Sequence, residues 1–180
     1  IIVLTDTSVH SMQFIGQPFT FGISRISSNT SAISPMGAVA VEDAVFWMGK
    51  NRFYVYEGRV QPIPCTVRDH VFNNLNEDAV EKIIAGVNSE FGEVFWFYPS
   101  GTSTENDKYV VYNYEQKIWY VGAFGRSAWL DKGIYEYPMA SVETLIYNHE
   151  KTNDDDGSAM SAFIESSPMD IGDGDNFTFI

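Results

Sequence analysis

Acidic side chains are the first candidates for chemistry in this sequence. Asp43, Glu90, Glu93 and Glu143 each lie beside the end of a predicted strand. Two carboxyl groups that face each other across a cleft can hydrolyse a glycosidic bond, one as the acid and the other as the base or nucleophile. All four residues also lie in β-turn contexts, where acidic residues and glycine are common for conformational reasons. The turn interpretation is favoured, and the sequence predicts no catalytic residue.

Metal ligation is the second chemistry to consider. His10, His70 and His149 are far apart in the sequence and have none of the spacings of zinc sites. The acidic runs at 153–157 and 170–176 contain oxygen ligands, but neither has the spacing of a calcium-binding EF-hand loop. We interpret both runs as solvated turns. The sequence predicts neither a metal site nor a cofactor site.

Common motifs for nucleophilic catalysis and phosphate binding are missing from the sequence. It contains no G-x-S-x-G elbow, no G-x-x-x-x-G-K-[ST] loop and no G-x-G-x-x-G after a strand. Cys65 is the single cysteine, so no internal disulfide can form, and a buried apolar role is expected for it. Asn29 and Asn176 begin N-x-[ST] sequons, which have meaning only in a secreted protein.

Clustered aromatic side chains could bind a sugar. Trp119, Tyr120 and Trp129 lie close together in the sequence, and aromatic faces that reach the surface can stack on ligands. Large flat residues are equally needed where one β-sheet packs face to face on another. Packing between sheets is the favoured interpretation, and glycan binding stays possible.

The composition favours an all-β protein. Hydrophobic residues make up 44% and aromatic residues 15% of the 180 residues, and this aromatic density suits half-buried strands better than long helices. The formal net charge of −13 repels phosphate groups. No apolar run approaches the roughly 18 residues that a membrane helix needs. We therefore expect neither tight nucleic-acid binding nor a membrane partner.

A strand pattern repeats along the chain. Each copy has an apolar strand, a short polar turn, an aromatic strand and a glycine turn. The clearest copy has strands at 37–41, 44–48 and 53–56, and the next has strands at 82–88, 93–98, 109–114 and 117–122. Trp47 and Trp96 occupy the same place in these two copies, 49 residues apart. A weaker third copy has strands at 139–142, 144–147 and 159–164, and residues 1–14 resemble the back half of an earlier copy.

Periods of about 40 to 50 residues with four strands each are typical of β-propeller blades. The sequence predicts a β-propeller segment of about three to four four-stranded blades, in a single all-β repeat region covering residues 1–180. The approximate blade units are 1–33, 34–75, 81–129 and 134–180. The small residues of 37–41 suit the innermost strand. Because both ends of the chain read as strand interiors, we expect this region to be a fragment of a longer polypeptide.

A β-sandwich is the alternative architecture, since it also gives short strands with regularly spaced turns. The recurrence of an Ala/Val strand followed by a Phe-Trp strand favours the propeller. The one helix candidate is a short turn at 76–81, with Asn76 as its N-terminal cap and acidic residues in the first turn. It is expected to connect two blades.

Four passages carry a family resemblance. They span residues 2–9, 34–41, 45–58 and 107–119. Their combination resembles propeller-forming tail proteins of tailed bacteriophages, among them tail nozzle or tail tube proteins and the packaged-DNA stabilisation proteins of short-tailed phages. The likeness covers most of residues 1–165.

The resemblance implies a non-catalytic structural protein of the virion tail that is made in the host cytoplasm. It further implies a homo-oligomeric ring around or near the DNA exit channel, with other tail or portal-proximal proteins as partners. Two alternatives stay open. One is a propeller that binds a glycan or a receptor, and the other is a propeller enzyme that acts on glycosides.

Overall fold

The computed structural model describes residues 1–155, 157–159, 169–170 and 177–178. The chain divides into two compact units, Ile1–His149 and Glu150–Ile180. The first unit consists of four antiparallel sheets with short connecting helices. The predicted all-β class is confirmed.

The sheets of the first unit follow one another along the chain. Sheet 1 contains β1 (Ile2–Leu4), β2 (Ser8–Phe14) and β3 (Phe21–Ser28). Sheet 2 contains β4 (Ala38–Val41), β5 (Ala44–Met48), β6 (Phe53–Tyr56) and β7 (Val60–Ile63). Sheet 3 contains β8 (Ile84–Asn88), β9 (Glu93–Tyr98), β10 (Lys108–Asn113) and β11 (Ile118–Gly122). Sheet 4 contains β12 (Ala128–Leu130), β13 (Met139–Val142) and β14 (Leu145–Asn148).

The remaining elements are short. Helix α1 (Arg68–Phe72) and a 3₁₀ helix (Glu77–Lys82) connect sheets 2 and 3. In the second unit, β15 (Asp154–Asp155) pairs with β16 (Ser158–Ala159), and β17 (Met169–Asp170) pairs with β18 (Phe177–Thr178). None of the described helices has the length and apolar character needed to cross a bilayer.

Sheets 2 and 3 are built on the same plan. Every strand in them pairs with the next one in the sequence, so each sheet is an antiparallel meander of four strands. The first strands of the two sheets lie side by side, since Met36 and Ile84 form a parallel bridge and the Ala85 N–H donates to the Met36 carbonyl at 2.8 Å. This arrangement is compatible with neighbouring propeller blades.

Apolar cores lie between successive sheets because the strands are apolar on both faces. On β9, Val94 and Trp96 face the core shared with sheet 2, while Phe95 and Phe97 face the core shared with sheet 4. Successive side chains of a strand point to opposite faces, so a run without polar residues can fill two cores at once. The continuous apolar run of 94–98 therefore places sheet 3 between two neighbours.

Trp47 and Trp96 occupy equivalent positions in sheets 2 and 3, as the repeat predicts. Trp47 lies opposite Ala38 and Trp96 lies opposite Ala85, on the second strand of each sheet. Both side chains are 0% exposed. Trp47 packs in a core with Val9 of sheet 1, and Trp96 packs in the core shared with sheet 2. Each tryptophan thus packs on the sheet before its own.

Several elements differ from the expected boundaries. The 3₁₀ helix begins as predicted, with Asn76 Oδ1 accepting a hydrogen bond from the Asp78 N–H at 3.1 Å. Helix α1 and the fourth strand of sheet 2, β7, were not expected. Strand β12 pairs with β13, so Trp129 belongs to sheet 4 and this sheet begins before residue 134. Most of the predicted strand at 159–164 and of the acidic turn at 170–176 lies outside the described residues.

Candidate binding cleft

A cleft of about 420 Å³ opens between the turns of sheet 2 and the end of β10. It is lined by Val41, Glu42, Asp43, Ala44, Phe46, Glu57, Gly58 and Tyr114. Its volume lies toward the lower end of the range of small-molecule sites. One sugar ring or one long side chain is a reasonable occupant for such a space.

Two tight turns form the rim of the cleft. Glu42 and Asp43 connect β4 to β5, and Glu42 has a φ of 49°. A positive φ is unusual for a residue with a Cβ atom and can mark a functional site. Glu143 has a φ of 51° in the two-residue turn between β13 and β14. Glu42 and Glu143 thus hold the same position in two-residue hairpin turns, so the positive φ of Glu42 is a feature of the turn type and does not by itself indicate a function. The second turn contains Gly58, which adopts a φ of 80° without steric strain because glycine has no Cβ atom.

Aromatic rings form the floor of the cleft. The rings of Phe46 and Tyr114 are stacked, with centroids 6.0 Å apart and planes at 28°. The ring of Tyr112 lies 6.1 Å from Phe46 and is 8% exposed. The two lining rings, Phe46 and Tyr114, therefore support each other, and Tyr112 packs against Phe46 without lining the cleft.

The cleft is acidic. Glu42, Asp43 and Glu57 contribute three carboxylates, and no lysine or arginine is among the lining residues. Burial raises the pKa of Tyr114, and the charges of Glu115 and Glu42 raise it further. Burial and the charge of Glu57 likewise raise the pKa of Tyr112. The hydroxyl groups of Tyr112 and Tyr114 therefore stay protonated near pH 7. Carboxylates beside aromatic rings can bind a ligand that carries a cationic group or several hydroxyl groups.

The four carboxylates singled out in the sequence lie in separate environments. Asp43 lines the cleft. Glu90 forms a salt bridge of 2.7 Å with Lys132, and Glu93 accepts a hydrogen bond from the Tyr120 hydroxyl. Glu143 lies in the β13–β14 turn. None of these contacts joins two of the four residues.

The histidines do not come together as metal ligands. His10 Nε2 lies 2.9 Å from the Ser8 hydroxyl, and His70 lies in the last turn of α1. His149 packs against Trp129, with ring centroids 4.9 Å apart. Within the described part of the chain, no group of three metal-binding side chains is present.

Two of the three aromatic residues considered as a sugar platform, Trp119 and Trp129, pack against cores, whereas Tyr120 is 37% exposed. Trp119 packs 4.7 Å from Phe53 in the core between sheets 2 and 3, and Trp129 packs 5.0 Å from Phe95 in the core between sheets 3 and 4. The two indoles lie in different cores, as the packing interpretation predicts. Cys65 packs against the core between sheets 2 and 3, which agrees with the apolar role expected for it.

Sequence reasoning missed most of the cleft. The sequence predicts strands at Phe46 and Tyr114 and turns at Glu42 and Glu57, but no local pattern indicates that these residues meet. The repeat carries one signal for the cleft. In a four-stranded meander, the turn between strands one and two and the turn between strands three and four lie at the same end of the sheet, so the turns at Glu42 and Glu57 are neighbours. No protein-family model matches this chain, and no curated protein is detectably similar to it in sequence.

Proposed function

We propose that this chain is a non-catalytic structural component of a bacteriophage tail, built from β-propeller blades. In this proposal it assembles into a ring around or near the DNA exit channel and contacts other tail or portal-proximal proteins. The resemblance of four sequence passages to tail proteins supports the assignment. The stacked sheets support the propeller architecture.

One observation carries the assembly role. The β2–β3 hairpin exposes apolar side chains, with Phe14 72%, Phe21 54% and Ile23 68% exposed. Residues 11–24 contain no charged side chain, although the chain as a whole has a net charge of −13. An exposed apolar surface of this kind is expected where a protein contacts another protein. We therefore assign the hairpin to contacts between subunits or with a tail partner.

Light scattering and electron microscopy of the purified chain test this role. Phe14 and Phe21 form an edge-to-face pair with centroids 5.9 Å apart, so Phe14→Glu with Phe21→Glu introduces repulsion at the centre of the surface. We expect ring-shaped oligomers from the unaltered chain and monomers from the double variant. Gln13→Glu adds a charge to the same hairpin without removing an apolar side chain, and it should leave assembly intact. A chain that stays monomeric at high concentration contradicts the proposal.

A receptor- or glycan-binding role is the second candidate, and the acidic cleft favours it. NMR titration with a panel of neutral, amino and N-acetylated sugars tests it. We expect any specific ligand to perturb Phe46 and Tyr114, and Glu57→Gln to weaken the binding. Glu77→Gln is the matched control, because Glu77 carries the same charge, is exposed on the 3₁₀ helix and does not line the cleft. Glycoside hydrolysis has less support, since Glu90 and Glu93 already bond to Lys132 and Tyr120.

A further inference from the structure

Sheet 2 carries side chains of opposite charge at its two ends. Successive turns of an antiparallel meander lie at alternate ends of the sheet. The turns at 42–43 and 57–59 therefore lie at one end, and the turn at 49–52 lies at the other. The first end holds the acidic cleft, whereas the second end holds Lys50 and Arg52.

The basic end is a well-defined turn with exposed cations. Lys50 and Arg52 are both exposed, and the Gly49 N–H donates to the Arg52 carbonyl at 2.9 Å, which closes the turn. Arg68 of helix α1 donates from Nε to the Asn51 carbonyl at 2.8 Å and brings a third positive charge to the same place. We call Lys50, Arg52 and Arg68 the basic tip. It is a local concentration of positive charge in a chain whose net charge is −13.

The two leading cations of the basic tip have no counter-charge of their own. Arg68 forms a salt bridge of 2.8 Å with Asp69. Lys50 and Arg52 form no ion pair with any residue that the structure describes. Their charges are therefore available to a carboxylate of another molecule.

The carboxylates of the cleft are likewise without counter-charges. Glu42, Asp43 and Glu57 form no ion pair within the described part of the chain. Arg59 follows Glu57 in the same turn, but it donates to Gln61 Oε1 at 3.1 Å and does not line the cleft. The cleft thus combines unpaired negative charge with the stacked rings of its floor.

An arginine side chain fits this combination better than other groups do. A guanidinium group can stack on an aromatic ring and at the same time donate two hydrogen bonds to a carboxylate. The cleft offers the Tyr114 ring and three carboxylates within about 420 Å³. A chain cannot fill its own cleft with Arg52, because β5 separates the two ends of the sheet by five residues, roughly 17 Å.

We propose that the basic tip of one copy of this chain inserts into the acidic cleft of a second copy. Arg52 stacks on Tyr114 and pairs with Glu57, while Lys50 lies against the carboxylates of Glu42 and Asp43. The contact joins two different surfaces, so each copy keeps a free tip and a free cleft for the next one. Successive copies therefore follow one another head to tail along the strand direction of sheet 2.

This contact is distinct from the one assigned to the β2–β3 hairpin, and it does not rest on the tail assignment. Few side chains take part in it, and all of its charges lie near water. It is therefore weak by itself and sensitive to salt. The same cleft would hold the ligand in the glycan-binding alternative, but a glycan site has no need of the basic tip. An exchange of charges between tip and cleft separates the two cases.

Two variants exchange the charges. The cleft-reversed variant carries Asp43→Lys and Glu57→Lys, and the tip-reversed variant carries Lys50→Glu and Arg52→Glu. We expect each variant alone to associate about tenfold more weakly than the parent chain at low salt, because like charges would meet. A mixture of the two should recover association, since the unaltered tip of the first fits the unaltered cleft of the second and the reversed pair also matches.

Sedimentation velocity at about 20 mM salt, where screening is weak, measures this association. Circular dichroism confirms that each variant is folded. Both variants are made in a parent chain that carries Phe14→Glu and Phe21→Glu, so hairpin contacts do not contribute. The result therefore stands apart from the test of the hairpin.

The matched control carries Glu77→Lys and Glu136→Lys, at exposed positions outside the cleft. It changes the net charge as much as the cleft-reversed variant does. Both changes reduce the general repulsion between copies, so a non-specific effect would strengthen association in both. We expect weaker association only in the cleft-reversed variant.

Carbodiimide cross-linking locates the contact, because it joins a lysine amine to a carboxylate that touches it. In a mixture of ¹⁵N-labelled and unlabelled chains, mass spectrometry should find mixed-label cross-links from Lys50 to Glu42, Asp43 or Glu57. Equal association of the parent and both reversed variants would overturn the proposal, as would a mixture that fails to recover. Cross-links that join the cleft to other lysines and not to Lys50 would also overturn it.

Discussion

The indole nitrogen of Trp96 donates a hydrogen bond of 3.1 Å to the carbonyl oxygen of Gly37, which joins the second strand of sheet 3 to the first strand of sheet 2. Trp47 occupies the same position one sheet earlier and is equally buried, but its indole nitrogen has no partner among the described residues. Both indoles are fully buried, but Trp47 stacks on Tyr54 whereas Trp96 packs on Phe53 and Trp119. Only the Trp96 indole makes a hydrogen bond between sheets.

Replacement of each tryptophan by phenylalanine should separate the two cases. Trp96→Phe leaves the Gly37 carbonyl with one hydrogen bond fewer, and we expect it to lower the free energy of unfolding by about 1–2 kcal/mol more than Trp47→Phe does. Denaturant unfolding followed by circular dichroism measures both values. Trp96→Ala should cost about 3–5 kcal/mol, as for other buried aromatic residues. Equal losses in the two phenylalanine variants would show that the hydrogen bond contributes nothing.

The equivalence of Trp47 and Trp96 could be predicted because its signal is local. Each tryptophan lies in a short aromatic strand that follows an Ala/Val strand and a turn, and pairing between neighbouring strands needs no information from elsewhere in the chain. The same reasoning predicted the strands of sheets 2 and 3 to within one or two residues, apart from β7. That strand contains Pro62, a residue that argues against strand structure except at sheet edges, where β7 lies.

Features that depend on contacts between sheets could not be predicted from local patterns. The cleft forms because Tyr114 follows a strand of sheet 3 and stacks on Phe46 of sheet 2, and nothing in either strand indicates that pairing. The short strand around Trp129 shows the same limit. Its placement in sheet 4 depends on pairing with Ala140 across a long connection.

Cys65 should react slowly in the folded chain. Burial raises the pKa of its thiol to about 11, against smaller opposing effects of the Val67 backbone and the charge of Arg68. The thiolate is the reactive form, so at pH 8 alkylation by iodoacetamide should be roughly 100-fold slower than for an ordinary cysteine. Mass spectrometry of timed samples measures the rate, and the same reaction in urea provides the unperturbed value. Similar rates with and without urea would contradict the expected protection.

The acidic charge of the chain should prevent retention of DNA. With 24 acidic against 11 basic residues, the net field repels phosphate, and a conduit with such a surface would let a duplex slide past. We expect no shift of duplex DNA in a gel at about 20 mM salt, where weak screening would make any basic patch most visible. Micromolar affinity under these conditions would contradict this description of the surface.

His149 should make the first unit sensitive to acid. Its Nε2 accepts a hydrogen bond from Arg126 Nε at 3.0 Å, and its ring packs on Phe124 and Trp129. Burial, and to a smaller extent the charge of Arg126, lowers the pKa of His149 from 6.5 to about 4. The neutral ring is therefore the form that the folded state favours.

The sign of the pH dependence follows from this lowered pKa. Below pH 6.5 the unfolded chain binds a proton at His149 that the folded chain does not, so stability present above pH 6.5 is lost as the pH falls toward 4. We expect a loss on the order of 1–3 kcal/mol across this window, measured by denaturant unfolding at a series of pH values. His149→Gln keeps a hydrogen-bond acceptor for Arg126 without a titrating ring, and it should flatten the profile. His70→Gln, at an exposed position on α1, should leave the slope unchanged. If the His149→Gln profile keeps the full slope, the sensitivity arises from the carboxylates and not from this histidine.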